Sequence, residues 1–251
     1  MHKRSIVSTV ATLSTACFIF AGAAEAAEIK VLASAAIKEA YGDFAPQFEK
    51  SSEHKITTTW AGTVDIVKKL QAGEVFDVVI GAAPIVEGQV KAGKLTAKVN
   101  IARSGVGVAV SPGTPKPDLS SADAVKRALL SAKSIGYSSG PSGTYLAGLF
   151  QRLGIADAIK TKLKQTPSGV AVGSLVASGE AELGFQQVSE LLHFPGLTYV
   201  GPLPADIQEI TQFSASIHVS APQAEAGRAF VRFITSPPAA TAIKHSGMEP
   251  G

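Results

Sequence analysis

Four hydroxyl side chains lie close together in the middle of the chain, just before an amphipathic segment. They are Ser138, Ser139, Ser142 and Thr144. Apolar residues recur every three or four positions from Tyr145 to Leu153, which predicts a helix that starts among these hydroxyls. The first turn of a helix has unpaired N–H groups and the positive end of the helix dipole, so it can bind an anion without a basic side chain. We therefore predict an anion site at Ser142, Gly143 and Thr144.

A simpler interpretation is that one of these hydroxyls only caps its own helix. A single cap does not explain four hydroxyls, so both interpretations stay open. A nucleotide-binding P-loop is excluded, because no lysine follows Gly140 or Gly143.

The N-terminal segment has the pattern of an export signal. A basic start at Lys3 and Arg4 precedes an uncharged, mostly apolar run, and small residues at 24 and 26 fit a cleavage site. We predict that residues 1–26 are removed and that the protein is periplasmic. The only cysteine, Cys17, lies inside this segment and matches a lipoprotein box poorly. The mature chain would then have no thiol, which excludes disulfides and cysteine-based chemistry.

Charge and hydropathy narrow the class of protein further. The formal net charge is only +3, which argues against nucleic acid as a partner. No second apolar run is long enough to span a bilayer, so we expect no stable membrane insertion. No His, Asp or Glu spacing is typical of a metal site, and we expect neither a metal nor a cofactor.

The first part of the chain repeats a strand, a small-residue turn and a helix three times. The strands are predicted at Glu28–Ala33, Lys55–Trp60 and Phe76–Ile80. Such alternation is typical of an α/β fold with a mostly parallel sheet, whose ligands bind at the carboxyl ends of the strands. Thr63 is predicted to cap the second helix, with Val64, Val67 and Leu70 on its apolar side.

The second part has its own alternation of strands and helices. Extended segments at 99–110, interrupted at Arg103–Gly105, and at 207–219 could cross between two lobes. We predict one lobe at 27–103 plus 215–251, another at 104–214, and a cleft between them that closes on a ligand. After Pro237 we expect only a last helical turn.

Several motifs together resemble the periplasmic molybdate-binding proteins of ABC importers. In order, they are Val31–Ile37, Ala61–Thr63, Phe76–Ile80, Pro141–Tyr145 and Ser178–Gly184. The resemblance covers essentially the whole mature chain and implies a type II periplasmic binding protein fold. It also implies a monomer that holds an oxyanion with hydroxyl and N–H groups and delivers it to an ABC permease.

The resemblance implies a ligand set with several departures from the family. Thr63 stands where the family has a ligand serine, whereas the first ligand serine aligns with Ala36 and a hydroxyl lies two residues earlier, at Ser34. Ser142 replaces an alanine, and Gln187 lies near the position of the family's cleft tyrosine. These changes suit a longer ligand with several carboxylates, and Arg103 could bind one of them bidentately.

The same departures give a second resemblance, to secreted aconitate isomerases. Our main hypothesis is a solute-binding protein for a molybdate-like oxyanion or a di- or tricarboxylate. The alternative is an aconitate isomerase on the same scaffold, and a third is a ligand sensor. An isomerase needs a base, which the sequence does not identify. A structural role is expected for Asp77, and structural or solvent-exposed roles for four of the five histidines, which are His54, His193, His218 and His245. Among these, His218 is the first candidate for a different role, because it lies close to a possible hinge strand.

Overall fold

The computed structural model describes residues 26–251. The predicted export signal, except for its last residue, lies outside the described residues. No helix among residues 26–251 is both long and apolar enough to cross a bilayer.

Strands and helices alternate along most of the described chain. The strands are β1 (Glu28–Ser34), β2 (Lys55–Ala61), β3 (Val78–Ala82), β4 (Val99–Val110), β5 (Ile135–Tyr137), β6 (Leu163–Gln165), β7 (Leu183–Gln187), β8 (Thr198–Pro202), β9 (Ile210–Ile217) and β10 (Glu249–Pro250). The helices are α1 (Lys38–Ser52), α2 (Thr63–Gln71), α3 (Ala83–Lys91), α4 (Ala122–Ser131), α5 (Pro141–Arg152), α6 (Ala156–Ile159), α7 (Val172–Ala177), α8 (Val188–Leu191), α9 (Ala224–Ile234) and α10 (Pro237–His245). The α/β character predicted from the sequence is confirmed.

The strands form one ten-stranded sheet with the order β2-β1-β3-β9-β4-β7-β5-β6, and β8 and β10 also pair with β4. β1 runs parallel to β2 and β3, and β5 runs parallel to β6 and β7. Between these two parallel groups, β9 and β4 are antiparallel to their neighbours. We call the part around β1–β3 the first lobe and the part around β5–β8 the second lobe.

β4 and β9 connect the two lobes. The first part of β4, from Val99 to Gly105, pairs with β9, and the part from Val106 to Val110 pairs with β7. The interruption expected at Arg103–Gly105 is therefore wrong, since the strand continues through it. The residue boundaries predicted for the lobes stay a prediction.

Each lobe has its own hydrophobic core. In the first lobe, Phe44, Phe48 and Phe230 pack together beneath the sheet. In the second lobe, Phe150 and Phe185 belong to a separate buried cluster. Because each core is filled from its own helices, the two lobes are held together mainly by the sheet.

Two helix predictions need correction. Thr63 is the first residue of α2, and Gly62 is its N-cap. Ile66 and Leu70 bury the inner face of α2, whereas Val64 is 43% exposed. This pair, four residues apart, already covers the sheet, so Val64 in the first turn points outward. α10 is also longer than the single turn expected after Pro237.

Asp77 is buried and stabilises the first lobe, as expected from the sequence. Its Oδ2 accepts a hydrogen bond from the Lys30 N–H at 2.8 Å, and its Oδ1 accepts one from the Gln223 N–H at 2.7 Å. The carboxylate thus joins β1 to the start of α9.

Replacing Asp77 with alanine should lower the free energy of unfolding by about 3 kcal/mol, because two backbone N–H groups lose a charged acceptor. Urea denaturation measures this loss. The exposed residue Asp157 supplies the control, and Asp157→Ala should change stability by less than about 1 kcal/mol. Equal effects in the two variants would contradict the structural role of Asp77.

Candidate functional site

A cavity lies between the lobes at the carboxyl ends of the parallel strands, with about 440 Å³ of empty space including its open mouth. It is lined by the turn after β1, the turn between β2 and α2, the start of α5, the loop after β6 and the end of β7. The residues concerned are Ser34, Ala35, Ala36, Ala61, Gly62, Thr63, Ser138–Ser142, Pro167–Val170, Gln186, Gln187, Glu190 and Phe213. Ligand sites of open α/β sheets are expected at this end of the strands.

The structure brings together most of the residues that the sequence suggested. Those that line the cavity are Ser34, Ala36, Thr63, Ser142 and Gln187. The other three, Arg103, Gly143 and Thr144, are not part of the lining.

Ser142 is almost completely buried, at 1% exposure, in the first turn of α5. Its Oγ lies 3.1 Å from the Ser138 Oγ, which also accepts a hydrogen bond from the Gly140 N–H. A Cβ atom at Gly143 would overlap the Ser138 carbonyl oxygen. Gly143 is therefore needed for the tight packing of this turn, and the hydroxyls of Ser138 and Ser142 lie side by side at the cavity.

Thr144 and Arg103 make contacts outside the cavity. The Thr144 hydroxyl donates to the Gly140 carbonyl and faces a neighbouring groove. The Arg103 Nη2 lies 2.9 Å from the Glu249 Oε2, where β10 pairs with β4. Because this pairing turns Arg103 towards Glu249, we assign it no ligand contact in the cavity.

The turn after β1 contacts both lobes. The Ser34 Oγ accepts a hydrogen bond from the Ala36 N–H at 3.3 Å, so it caps the short 3₁₀ turn that follows. The Ser189 hydroxyl of α8 donates to the Ala36 carbonyl at 2.7 Å. This turn is thus fixed from both sides, and the Ser34 hydroxyl combines capping with a position at the cavity.

Gln187 connects β7 to the two strands that join the lobes. In the amide orientation that satisfies its neighbours, its Nε2 donates to the Ser104 and Gly105 carbonyls and its Oε1 accepts from the Thr211 hydroxyl. Its amide groups are therefore largely occupied by contacts within the protein.

Several helices begin at the cavity without a side-chain cap. The starts of α2, α5 and α8 reach the lining. Uncapped first turns leave N–H groups for a ligand and place positive dipole ends towards it. Within residues 26–251, no Lys, Arg or His lines the cavity. The lining thus favours an anion through neutral donors.

Glu190 of α8 is a cavity residue that the sequence reasoning missed. Its Oε1 accepts a hydrogen bond from the Gln186 Nε2 at 2.7 Å. The Gln186 Oε1 accepts one from the Val172 N–H at 2.7 Å, which fixes the orientation of the amide. Burial raises the pKa of the Glu190 carboxyl to about 8. The signal in the sequence was an acid three residues after a buried strand, beside Leu191 and Leu192.

The two lobes touch at the cavity. A Cβ atom at Gly62 in the first lobe would overlap the Ser168 Oγ and lie 2.5 Å from the Gly169 nitrogen in the second lobe. The structure therefore shows a closed arrangement in which glycine at position 62 permits the approach.

Comparison with known proteins agrees with this architecture. The family described as bacterial extracellular solute-binding protein matches residues 29–249. An aconitate isomerase from Pseudomonas sp is 35% identical over 230 residues, which cover 88% of this chain and 87% of that protein. The molybdate-binding protein of Azotobacter vinelandii is 28% identical over 234 residues, covering 91% of this chain and 92% of that protein.

A solved structure gives the same result for the fold. The periplasmic molybdate-binding protein of Azotobacter vinelandii aligns with a TM-score of 0.74 at 21% identity, covering 88% of this chain and 98% of that one. The chain belongs to the bacterial extracellular solute-binding protein family and has the fold of the type II periplasmic binding proteins.

Proposed function

We propose that this protein is an isomerase that moves the carbon–carbon double bond of aconitate, with Glu190 as the group that carries the proton. The observation that carries this proposal is a carboxyl with a pKa of about 8 in a cavity built for anions. General bases work best when their pKa lies near the working pH.

Below its pKa of about 8 the Glu190 carboxyl is mostly protonated, so it does not repel an anion in the cavity. Its ionised fraction, which grows as the pH approaches 8, can accept a proton from carbon. The contact with Gln186 holds its Oε1 in one place. Glu190 therefore supplies the base that an isomerase needs and that simple binding does not require.

The reaction needs no partner besides the substrate and one base. The ionised Glu190 takes a proton from the methylene carbon, the electron pair shifts along the allylic unit, and the double bond moves. The same carboxyl returns the proton to the former alkene carbon, so all atoms and electrons balance. The N–H groups at the starts of α2 and α5 would stabilise the charge that builds up on the substrate carboxylates.

The relative from Pseudomonas supports this choice, since it is 35% identical over 230 residues that cover 88% of this chain. Export to the periplasm by residues 1–26 is part of the proposal and is consistent with an extracellular family.

A second candidate is an oxyanion-binding protein that serves an ABC permease. The specific observation in its favour is the neutral lining, in which helix starts and hydroxyls replace basic side chains. The 28% identical molybdate-binding protein also supports it. The two candidates differ in whether the bound ligand is changed.

A direct assay separates them. The purified protein is incubated with cis-aconitate or trans-aconitate and the interconversion is followed by ultraviolet absorbance. Thermal shifts with both isomers, citrate, molybdate and sulfate report binding, because a ligand of the folded state raises the unfolding midpoint. Interconversion supports the isomerase. Binding of the aconitates without interconversion would make the protein a carboxylate receptor, and a shift with molybdate alone would favour the importer.

The value of kcat/KM for aconitate should rise with pH up to about pH 8 and then level off. The pH dependence of kcat/KM reflects the ionisation of groups in the free enzyme, where Glu190 must be ionised to act as a base. Between pH 6 and pH 7 the increase should be about tenfold, since the ionised fraction rises by that factor well below the pKa. Initial rates at fixed ionic strength measure it, with circular dichroism as a control for folding. A profile that is flat from pH 6 to pH 8.5 would contradict the role of Glu190.

A further inference from the structure

The Ser168 hydroxyl is a polar group without a partner at the cavity. Its Oγ is buried and has no hydrogen-bond partner among residues 26–251. The other side-chain atoms of this kind in the described chain belong to Gln89, Thr166 and Ser236, none of which lines the cavity. A buried hydroxyl left unpaired costs about 1–3 kcal/mol, so such a group calls for an explanation.

The position of Ser168 gives that explanation. It lies in the loop between β6 and α7 of the second lobe and lines the cavity. Gly62 of the first lobe lies directly against it, in the turn that also presents Thr63 to the cavity. The loop that carries Ser168 thus covers the cavity from the second lobe where the two lobes meet.

We infer that Ser168 is a ligand-binding residue whose hydroxyl donates a hydrogen bond to a carboxylate or oxyanion oxygen when the lobes are closed. The ligand supplies the acceptor that the protein does not provide. Closure and binding are then coupled, because burial of the hydroxyl is unfavourable without the ligand and favourable with it. For aconitate as the ligand, this inference rests on the proposed function.

Two serine variants test the inference. Ser168→Ala should weaken binding of trans-aconitate about tenfold or more in calorimetry, which is the usual size of a hydrogen bond to a charged group. Without ligand, its unfolding midpoint should equal or exceed that of the native protein, because an unpaired buried hydroxyl is removed. The control is Ser174→Ala, whose exposed hydroxyl bonds only to the Ala171 carbonyl among the described residues and should leave affinity unchanged.

The outcomes separate this inference from the proposed function. Equal affinities in the Ser168→Ala and Ser174→Ala proteins would overturn the ligand role. An unfolding midpoint of ligand-free Ser168→Ala below that of the native protein would also overturn the ligand role, because it would show that the hydroxyl stabilises the fold. If the native protein binds trans-aconitate or molybdate without interconverting aconitate, the proposed function fails, and a tenfold loss of that binding in Ser168→Ala still supports the inference. If the native protein binds neither trans-aconitate nor molybdate, the inference about Ser168 is overturned.

Discussion

The Glu190→Gln protein should still bind trans-aconitate, yet interconvert the aconitate isomers about 100- to 10,000-fold more slowly than the native protein. This range is the usual contribution of a positioned general base. Glutamine has nearly the same shape as a protonated glutamate, and its carbonyl oxygen can accept the hydrogen bond from the Gln186 amide. It cannot take a proton from carbon. Rates from ultraviolet absorbance and affinities from calorimetry measure the two effects separately.

Glu180→Gln is the matched control for this experiment. Glu180 is exposed and lies before the first residue of β7, whereas the last two residues of β7 line the cavity. This control should keep native rates and native affinity. Native rates in Glu190→Gln would remove Glu190 from the mechanism, and with it the main reason to prefer an isomerase. Lost binding with unchanged turnover of saturated protein would instead make Glu190 a binding residue.

Much of the fold could be predicted because its signals are local. Alternating strands, small-residue turns and amphipathic helices marked the first three βα units within a few residues of their observed bounds. The buried position of Asp77 in the first lobe also followed from the apolar segment around it. The second lobe was harder to predict, because β6 has only three residues and they show no clear alternation of apolar and polar side chains.

The site was less predictable because it depends on contacts between distant segments. Arg103 looked free to bind a carboxylate until β10 placed Glu249 beside it. Gln187 looked like a ligand amide, but Ser104, Gly105 and Thr211 occupy it. In both cases the deciding partner lies many residues away in the sequence.

The sequence reasoning missed Glu190 and Ser168 because their roles also depend on contacts between distant segments. Neither residue belongs to a recognisable motif, and the role of each depends on the residues that surround it in the fold. The orientation of Glu190 depends on Gln186, which in turn depends on the start of α7. The Ser168 Oγ is buried without a partner at the place where Gly62 brings the other lobe against it. Burial and partner geometry, rather than residue type, distinguish these two groups.

The closed arrangement of the lobes explains how one scaffold could serve both binding and catalysis. Closure removes water, which strengthens the bonds from neutral donors to an anion. It also places the anion next to Glu190, whose proton transfer benefits from the same exclusion of water. A binding protein would need only the first effect, whereas an isomerase needs both.

The Gly62→Ala protein should bind trans-aconitate about 10- to 100-fold more weakly than the native protein, as overpacking of a tight contact costs roughly 1–3 kcal/mol. The new methyl group would meet the Gly169 backbone nitrogen at 2.5 Å, a contact that no side-chain rotation relieves. The lobes would then have to stay apart. The φ and ψ values of Gly62, −77° and 165°, are allowed for alanine, so the ligand-free protein should fold normally.

Gly88→Ala is the control, because Gly88 lies within α3 and a Cβ atom there has nothing within 4 Å. It should raise stability by up to about 1 kcal/mol and leave affinity unchanged. Small-angle scattering with saturating trans-aconitate should show a larger radius of gyration for Gly62→Ala than for Gly88→Ala. Equal affinities and equal radii would mean that the lobes need not approach this closely. The ligand would then be held by one lobe, and the coupling between closure, Ser168 and Glu190 would have to be abandoned.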